Sequence, residues 1–293
     1  MKPTLKEIAK AAGVSTMSVS RVLSGKTGKV SAKVAEKIRQ TARDMGYREN
    51  RLAKAMRTGV IPLLAFCLHE SHNGDVPNLY WFDVIRNSRH TFAANKFEVL
   101  FITYPTVEEL AERITSLRDG NMIGGVITNL MPGKEKEICR VIRECGLPAV
   151  IFGEISEEEN IPYSYIDDSE LTPVILDKLR RRGAEKLVWY AQYMDLPPPE
   201  EVNDEKIWFQ VGSELLKTRL IRLCGIPAER VVITSNFEAY LGGHGGFTIR
   251  SHTVERCLYA LETLRQQMMK QPVTRKCMCV KLTAEDVQEI DPL

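Results

Sequence analysis

The 293-residue sequence lacks any apolar stretch of about 18 residues, the length that a membrane-spanning helix needs. It also lacks a secretory signal, because its first residues are polar and already carry a helical pattern. Its seven cysteines are odd in number and show no spacing typical of a disulfide framework, so we expect reduced thiols. These absences predict a cytoplasmic protein that does not bind a membrane.

No arrangement of catalytic residues is recognisable either. We find no nucleophile paired with a base, no two carboxylates on one helix face and no dinucleotide-binding fingerprint. Cys277 and Cys279 are potential metal ligands, but two thiols without partners at ligand spacing make a weak metal site. We therefore expect no enzyme activity, no metal and no cofactor.

The charged residues, by contrast, are distributed unevenly. The whole chain has 40 Lys and Arg residues against 38 Asp and Glu. Residues 1–59 contain 14 basic and 4 acidic side chains, whereas the remainder contains 26 and 34. A basic segment joined to an acidic remainder is typical of proteins that bind nucleic acid.

Residues 4–23 predict two short helices joined by a tight turn. Thr4 and Glu7 form a capping-box pattern at the start of the first helix. Gly13 can take the left-handed conformation that ends this helix, and Ser15 can cap the second one. This is the helix-turn-helix arrangement, in which the second helix enters the major groove of DNA. An ordinary helical hairpin with a solvated face is the alternative interpretation.

A third helix is expected to begin at Ser31 and to end at Gly46. Its inward residues are expected to be Val34, Ile38, Ala42 and Met45. Residues 50–57 are good helix formers, but the segment is too short to be a stable helix alone.

Residues 1–59 closely resemble the LacI/GalR (lactose-repressor) family of bacterial transcription regulators. The matching residues are Leu5, Ile8, Ala9, Gly13, Val14, Ser15, Val19, Ser20, Arg21, Val22, Leu23, Val30, Ser31, Tyr47, Asn50, Ala53, Arg57, Thr58 and Gly59. The resemblance implies a helix-turn-helix domain over residues 1–49, a hinge helix over 50–59 and an effector and dimerisation domain over 60–293. It implies a homodimeric repressor that binds operator DNA and answers to a sugar or nucleoside.

The resemblance also implies which residues contact DNA. They are Leu5, Ser15, Thr16, Met17, Ser20, Arg21, Ser24, Lys29, Ser31, Asn50, Ala53, Met56 and Arg57. In the family the hinge helix folds in the minor groove, where the apolar side chain of Met56 would open a base step. The family usually has Pro where this chain has Glu49, so a flexible linker is the alternative for this segment.

From Ile61 the pattern changes to alternating apolar strands and helices. We predict strands over 61–68, 97–103, 122–128, 147–153, 186–191, 229–234 and 276–282, and helices over 79–94, 107–119, 134–145, 171–182, 205–224 and 252–270. A second half is expected to begin near Tyr165. This alternation predicts an α/β fold with parallel sheets covered on both faces. Two such halves hinged around a cleft resemble the periplasmic-binding-protein fold of the family's effector domain.

Three residues are candidates for effector binding near that cleft. Tyr80 and Trp81 align with aromatic residues at the start of the family's first helix, where they could stack on a sugar or be buried structure. Asp167 could accept hydrogen bonds from hydroxyl groups or cap the following helix.

The second half departs from the family pattern in two respects. The ligand-clamping Arg that many members carry is absent from IWFQVGSEL (residues 207–215), and the final family elements are not recognisable. The C-terminal lobe is therefore expected to be shortened, either by truncation or internally, and we expect sugars to bind weakly. A DNA-binding regulator that no longer senses a ligand is the first alternative function. A sugar-binding carrier of the same fold is the second.

Overall fold

A computed structural model describes residues 3–25, 30–47, 60–69, 79–131, 133–153, 160–190, 194–212, 214–235 and 246–290. The chain divides into two compact units, Met1–Thr58, which we call the head, and Gly59–Leu293, which we call the body. Among the described residues, no helix combines the length and the apolar character needed to cross a membrane.

Three helices form the head: α1 (Leu5–Ala12), α2 (Thr16–Leu23) and α3 (Ala32–Asp44). Their apolar faces meet in one small core, whose buried residues are Ile8, Ala9, Ala12, Val19, Val22, Ala35, Ile38 and Ala42. Val34 and Met45 pack against this core but remain partly exposed. The helix begins at Ala32, one residue after the predicted start, with Ser31 as its N-cap, and Gly46 follows its end with a φ of 64°.

The turn between α1 and α2 is built from the residues that the sequence pattern singles out. The Thr4 amide donates to Glu7 Oε2 at 2.7 Å, and the Glu7 amide donates to Thr4 Oγ1 at 3.3 Å. Gly13 ends α1 with a φ of 68°, and Ser15 Oγ accepts from the Ser18 amide at 3.1 Å. The angle between the two helices is thus fixed largely by local capping.

The body contains two sheets, and each sheet is the centre of one lobe. The first sheet comprises β1 (Leu63–His69), β2 (Glu98–Tyr104), β3 (Gly125–Thr128), β4 (Ala149–Gly153), β5 (Tyr163–Asp167) and β10 (Cys277–Lys281). Its strands are all parallel and lie in the order β10-β5-β4-β3-β1-β2. Helices α4 (Leu79–Ala94) and α10 (Thr253–Met268) cover one face, and α5 (Val107–Asp119) and α6 (Glu135–Cys145) cover the other.

The second sheet comprises β6 (Lys186–Tyr190), β7 (Ile207–Val211), β8 (Val231–Ser235), β9 (Gly246–Ile249) and β11 (Val287–Ile290). Its order is β11-β9-β8-β7-β6, and only β11 runs antiparallel to its neighbour. Helix α7 (Leu171–Leu179) packs on one face. Helices α8 (Pro199–Asn203) and α9 (Glu214–Cys224) pack on the other.

Three chain crossings connect the lobes, and together they orient the two sheets. The chain passes from β5 to α7, from β9 to α10 and from β10 to β11. Each crossing joins the carboxyl edge of one sheet to the carboxyl edge of the other, because α7 and α10 run back toward the amino ends of the parallel strands beside them. The two carboxyl edges therefore border one interlobe cleft, which is where open parallel sheets bind ligands.

Hydrogen bonds tie these crossings to one another. The Leu282 amide donates to the Asp167 carbonyl at 2.9 Å, and the Arg250 amide donates to the Asp286 carbonyl at 2.9 Å. The side chains of His252 and Asp286 also meet, with His252 Nε2 2.8 Å from Asp286 Oδ1. The crossings therefore form one connected hinge region.

The predicted helix over 205–224 is wrong in its first half. Residues Ile207–Val211 form β7, and all five are buried in the second sheet. The short, mainly apolar run of β7 and the amphipathic helix after it were predicted together as one long helix. Periodicity does not distinguish a buried strand from a buried helical segment.

The assignment of strands to lobes also needs correction. The second lobe begins after Asp167 rather than near Tyr165, because Tyr163–Asp167 form β5 of the first sheet. The strand predicted over 276–282 pairs with β5 and so belongs to the first sheet. Strands β9 and β11 were not predicted, because four residues of mixed polarity carry too little periodicity to be recognised.

The connection between β6 and β7 contains a short helix. The helix between these strands, α8, has five residues, whereas the other helices that connect consecutive strands in the described part of the body have 9 to 16. The second lobe therefore has less helical cover beside β6, its outermost strand.

The seven cysteines are free thiols, in agreement with the expectation of reduced cysteines. Burial raises the pKa of both Cys67 and Cys257 to about 12. These two thiols therefore stay protonated at neutral pH and are poor nucleophiles.

Candidate functional site

Helix α2 presents an exposed face on the side opposite the head core. Val19 and Val22 are buried, whereas Thr16 and Met17 are exposed and Arg21 is partly exposed. The exposed fraction of Met17 is 61%, a high value for an apolar side chain. A helix with this division can pack through one face and offer mixed polar and apolar contacts to base edges through the other.

The other predicted contact residues of the head surround this face or support it. Ser15 and Ser31 use their hydroxyls to cap α2 and α3, and the Ser24 hydroxyl donates to the Ser20 carbonyl at 2.7 Å. Leu5 packs partly against the core. Lys29, Asn50, Ala53, Met56 and Arg57 lie outside the described residues, so their roles stay predictions.

The cations of the head differ in how they are paired. Arg39 and Arg43 on α3 both reach Glu36, at 3.3 and 2.8 Å. These hydrogen bonds, first from Arg43 and then from Arg39, lower the pKa of Glu36. Within residues 3–25 and 30–47 no ion pair engages Arg21. Arg21 can therefore turn to a ligand without losing a partner in this part of the chain.

In the body, the first lobe brings aromatic and polar groups to the cleft. Trp81 lies in the first turn of α4, and its Cη2 atom is 3.4 Å from where a Cβ on Gly153 would be. Gly153 ends β4, so the indole lies at the carboxyl edge of the first sheet. Beside it, the fully buried Arg256 holds its guanidinium carbon 4.2 Å from the centre of the Phe152 ring.

Polar groups line the same edge on the neighbouring strands. The His69 amide donates to Asn129 Oδ1 at 2.8 Å, and the Tyr104 hydroxyl donates to the Asn129 carbonyl at 3.0 Å. These residues end or directly follow β1, β2 and β3. The first lobe thus offers an indole for stacking, while the polar groups of this edge are hydrogen-bonded to one another.

The other two predicted effector residues are less informative. Tyr80 lies in α4, but its side chain is outside the described residues. Asp167 accepts the Ser169 amide at 3.1 Å, and hydrogen bonds from Ser169 lower the pKa of Asp167. The residue before α7 is Glu170, which makes no side-chain cap. Asp167 therefore stabilises the first crossing rather than capping α7.

A buried polar cluster fixes α4 against α10 beside the cleft. Asp83 Oδ2 accepts from the hydroxyls of Ser251 and Thr253 at 3.0 and 2.7 Å, and Asn87 Nδ2 donates to Asp83 Oδ1 at 2.6 Å. Ser251 lies in the second crossing, so this cluster anchors the hinge region to the first lobe.

A separate surface cavity of about 290 Å³ lies at the opposite, amino end of β4 and β5. Its lining includes Arg143, Asn160, Gln267 and Lys276. The side-chain amide of Gln267 is already hydrogen-bonded: it accepts from the Ala149 amide at 2.7 Å and donates to the Ala149 carbonyl at 3.1 Å. The cavity is remote from the cleft and is not part of the candidate site.

Sequence comparison bears directly on the head. Residues 4–50 match the profile of the bacterial regulatory proteins of the lacI family. The head belongs to the LacI family. The maltose regulon regulatory protein MalI of Escherichia coli (strain K12) is 24% identical to this chain over 190 residues, which cover 64% of this chain and 53% of MalI. The chain spans about half the length of the curated relatives it matches.

Solved structures with a similar fold cover nearly the whole chain, including both head and body. The lac repressor bound to ONPG in its repressed state has a TM-score of 0.65 at 16% identity, over 99% of this chain and 98% of that chain. A complex of the transcriptional regulator CelR with cellobiose has a TM-score of 0.59, also at 16% identity, over the same shares of the two chains. The predicted fold, a helix-turn-helix domain with a two-lobed periplasmic-binding-protein-like domain, is confirmed.

Proposed function

We propose that the protein is a homodimeric, sequence-specific DNA-binding repressor of transcription that responds to a sugar. The observation that carries this proposal is the exposed face of α2, with Thr16, Met17 and Arg21, inside a head that matches the LacI-family profile. The matched relatives are transcription regulators rather than enzymes. We propose that this protein likewise acts by binding, without catalysis, and does so in the cytoplasm.

The proposed effector class is supported by the cleft and by the names of the relatives. Trp81 offers a flat apolar surface, and Asn129, His69 and Tyr104 form a polar edge beside it. MalI is a maltose regulon regulator, and CelR forms a complex with cellobiose. Both observations favour a sugar over an ionic ligand.

In-vitro selection of bound sequences from a random DNA library tests the DNA-binding function. Two identical heads related by a two-fold axis should enrich a near-palindromic site, because each head reads one half-site. The selected site should then shift in a gel at nanomolar protein, whereas a scrambled site should not. Failure to enrich any sequence, or a single asymmetric half-site, would contradict the proposal.

A thermal-shift screen with sugars and nucleosides separates the sensing regulator from one that senses nothing. A ligand that binds only the folded body raises its unfolding temperature. If the protein binds its selected site but no sugar shifts the unfolding temperature, the non-sensing alternative replaces the sugar-responsive part of the proposal.

A further inference from the structure

Two cysteines on the outermost strand of the first sheet differ from most other cysteines of the chain. Cys277 is partly exposed and Cys279 is exposed, and their strand, β10, contributes no residue to the described cores of this lobe. Buried cysteine usually acts as a small apolar residue. Four of the others are of this kind and lie in the cores of the first lobe: Cys67, Cys139, Cys145 and Cys257. Core packing therefore does not account for the two thiols of β10.

The strand places these two thiols side by side on one face of the sheet. Residues two apart in a strand share a face and lie about 7 Å apart along it. β10 pairs in parallel with β5, so that Cys277 lies opposite Tyr163 and Cys279 lies opposite Tyr165. The two tyrosine rings stack, with their centroids 6.1 Å apart. Two thiols and two phenols thus form one group at the edge of the sheet.

This group supplies two soft metal ligands and no third one. In the part of the chain that the structure describes, no His, Asp or Glu joins the thiols to make a set of three ligands. Met278 lies between them on the opposite face of the strand. Hydrogen bonding to Cys279 raises the pKa of Tyr165 to about 12, and hydrogen bonding to Cys277 raises the pKa of Tyr163. Both phenols therefore stay neutral at pH 7 and offer no phenolate oxygen to a metal.

We propose that Cys277 and Cys279 bind one Cu⁺ ion as a two-coordinate bis-thiolate. Thiolates select soft cations such as Cu⁺, and Cu⁺ accepts two collinear ligands. A Zn²⁺ site needs four ligands, of which this group has only two. Each sulfur binds the ion as its thiol releases a proton to solvent, so two protons leave per ion and no electron is transferred.

The spacing of the strand suits this geometry. A metal–thiolate bond is about 2.3 Å long, so two collinear bonds place the sulfur atoms about 4.6 Å apart. Rotation about the Cα–Cβ bonds of Cys277 and Cys279 brings the sulfurs together from the spacing of about 7 Å along the strand. The ion can therefore bind without any change in the pairing of β10 with β5.

The charges around the pair also favour the bound form. A bis-thiolate of Cu⁺ has a net charge of −1, which a nearby cation stabilises. The Nε atom of Arg275 donates to the Cys277 carbonyl at 2.7 Å, so its guanidinium is held beside this end of the pair, and Lys276 is the intervening residue. At the other end, Lys281 is opposed by Asp167, its register neighbour on β5. The excess of positive charge thus lies beside Cys277.

Copper titration of the reduced full-length protein under anaerobic conditions tests this proposal. Cu⁺ would be added in competition with bathocuproine disulfonate, whose absorbance reports the copper that the protein has not bound. The variants are Cys277→Ser and Cys279→Ser, and Cys224→Ser is the matched control. Cys224 is also partly exposed, but it lies on α9 of the second lobe without a second cysteine two residues away. Zn²⁺ is titrated separately, and thermal unfolding without metal checks that each variant is folded.

We expect the wild type to bind one Cu⁺ per chain and to bind Zn²⁺ much more weakly. Each of Cys277→Ser and Cys279→Ser should weaken Cu⁺ binding by about 100-fold or more, because the second thiol otherwise binds intramolecularly. Cys224→Ser should leave the affinity unchanged. No uptake of Cu⁺, equal affinity for Zn²⁺, an unchanged affinity in either β10 variant, or an equal loss in Cys224→Ser would each overturn the proposal. One ion per two chains would also overturn it, because the ion would then link two copies through single thiols.

Discussion

Arg21 is the partly exposed cation of α2, and the side chains on either side of it differ in role. Val19 and Val22 hold the helix to the core, while Thr16 and Met17 are exposed. A guanidinium in this position can donate two hydrogen bonds to the edge of a guanine. We therefore expect Arg21 to read sequence rather than to attract phosphate.

Arg21→Ala should relax specificity at one base pair of each half-site, at a cost of about 1–3 kcal/mol for the preferred base. The measurement is the affinity for the selected site and for variants with each base pair changed in turn. Lys29→Ala should instead weaken all of these sequences to the same extent. If Arg21→Ala also weakened every sequence equally, Arg21 would be a phosphate contact.

Asp286 is the residue whose protonation should matter most for the hinge region. Burial raises the pKa of Asp286, but hydrogen bonds from His252 and Thr283 outweigh this effect and leave the pKa below its ordinary value. A carboxyl group with a pKa lowered by folding stabilises the native state above its unfolded pKa, and this contribution is lost as the pH falls through the folded value.

Asp286→Asn should therefore lower the free energy of unfolding at pH 7 by about 1–2 kcal/mol. The difference from the wild type should begin to shrink as the pH falls below about 4, where the unfolded carboxyl becomes protonated, and should be smallest below the lower folded pKa, where the carboxyl is protonated in both states. Denaturant unfolding at a series of pH values measures this. Glu285→Gln, at the exposed neighbouring residue, is the control, and a loss that is independent of pH would show that Asp286 acts only through packing.

Some of these residue roles could be predicted from sequence, and others could not. Thr4, Gly13 and Ser15 act locally, and the structure confirms their capping roles. The contact between Trp189 and Gly212 could not be predicted from sequence. The two residues are 23 positions apart and meet only because β6 pairs with β7. Motif reading detects neighbours in sequence and misses neighbours across a sheet.

Among the elements, the hinge segment over residues 50–59 is the subject of the most specific prediction from sequence. It lies outside the described residues. The family resemblance implies a short helix that forms in the minor groove and inserts Met56 between base steps. A helix of this length gains its stability from the surface on which it folds rather than from itself.

Met56→Ala should reduce both the bending of the operator and the specific affinity, while non-specific binding stays nearly unchanged, because the lost contact is the apolar wedge and not a charge. Circular-permutation gels measure the bend. Lys54→Ala is the contrasting variant, expected to weaken specific and non-specific binding alike. A bend that is the same in Met56→Ala and the wild type would identify the segment as a tether.

At the level of elements, the ranges of several helices and strands were predicted more reliably than the sheet to which each strand belongs. The predicted ranges of α4 and α5 agree with the structure at both ends. The helical interpretation of 205–211 was wrong, because the five residues of β7 are all buried and their polar and apolar side chains do not alternate as in a half-exposed strand. The place of β10 in the first sheet could not be read from the local sequence at all, since it depends on pairing with β5.

For the whole molecule, the decisive property is the separation of charge between head and body. Residues 1–59 have ten more basic than acidic side chains, and the remainder has eight more acidic than basic. On the proposed function, we therefore expect the head rather than the body to supply most of the electrostatic attraction to DNA.

DNA affinity should consequently fall steeply with salt, because each phosphate neutralised by the head releases counterions and adds about 0.9 to the slope of log affinity against log salt. Titrations of the selected site between low and physiological salt measure this slope. Because two heads bind one site, we expect a slope well above the value that a few phosphate contacts would give. Arg21→Ala should change this slope by about one unit per head at most. A flat response would contradict DNA binding through the head.

The pairing of β10 with β5 has a consequence for synthesis on the ribosome. The core of the head uses only residues within the first 47, so the head can fold as soon as this part of the chain has emerged. The first lobe, in contrast, gains α10 and β10 only after all of the second lobe except β11 has been made. Contacts between such distant parts of a chain form slowly. Nascent chains that stop before residue 253 should therefore carry a folded head on a body whose first lobe remains open to proteases.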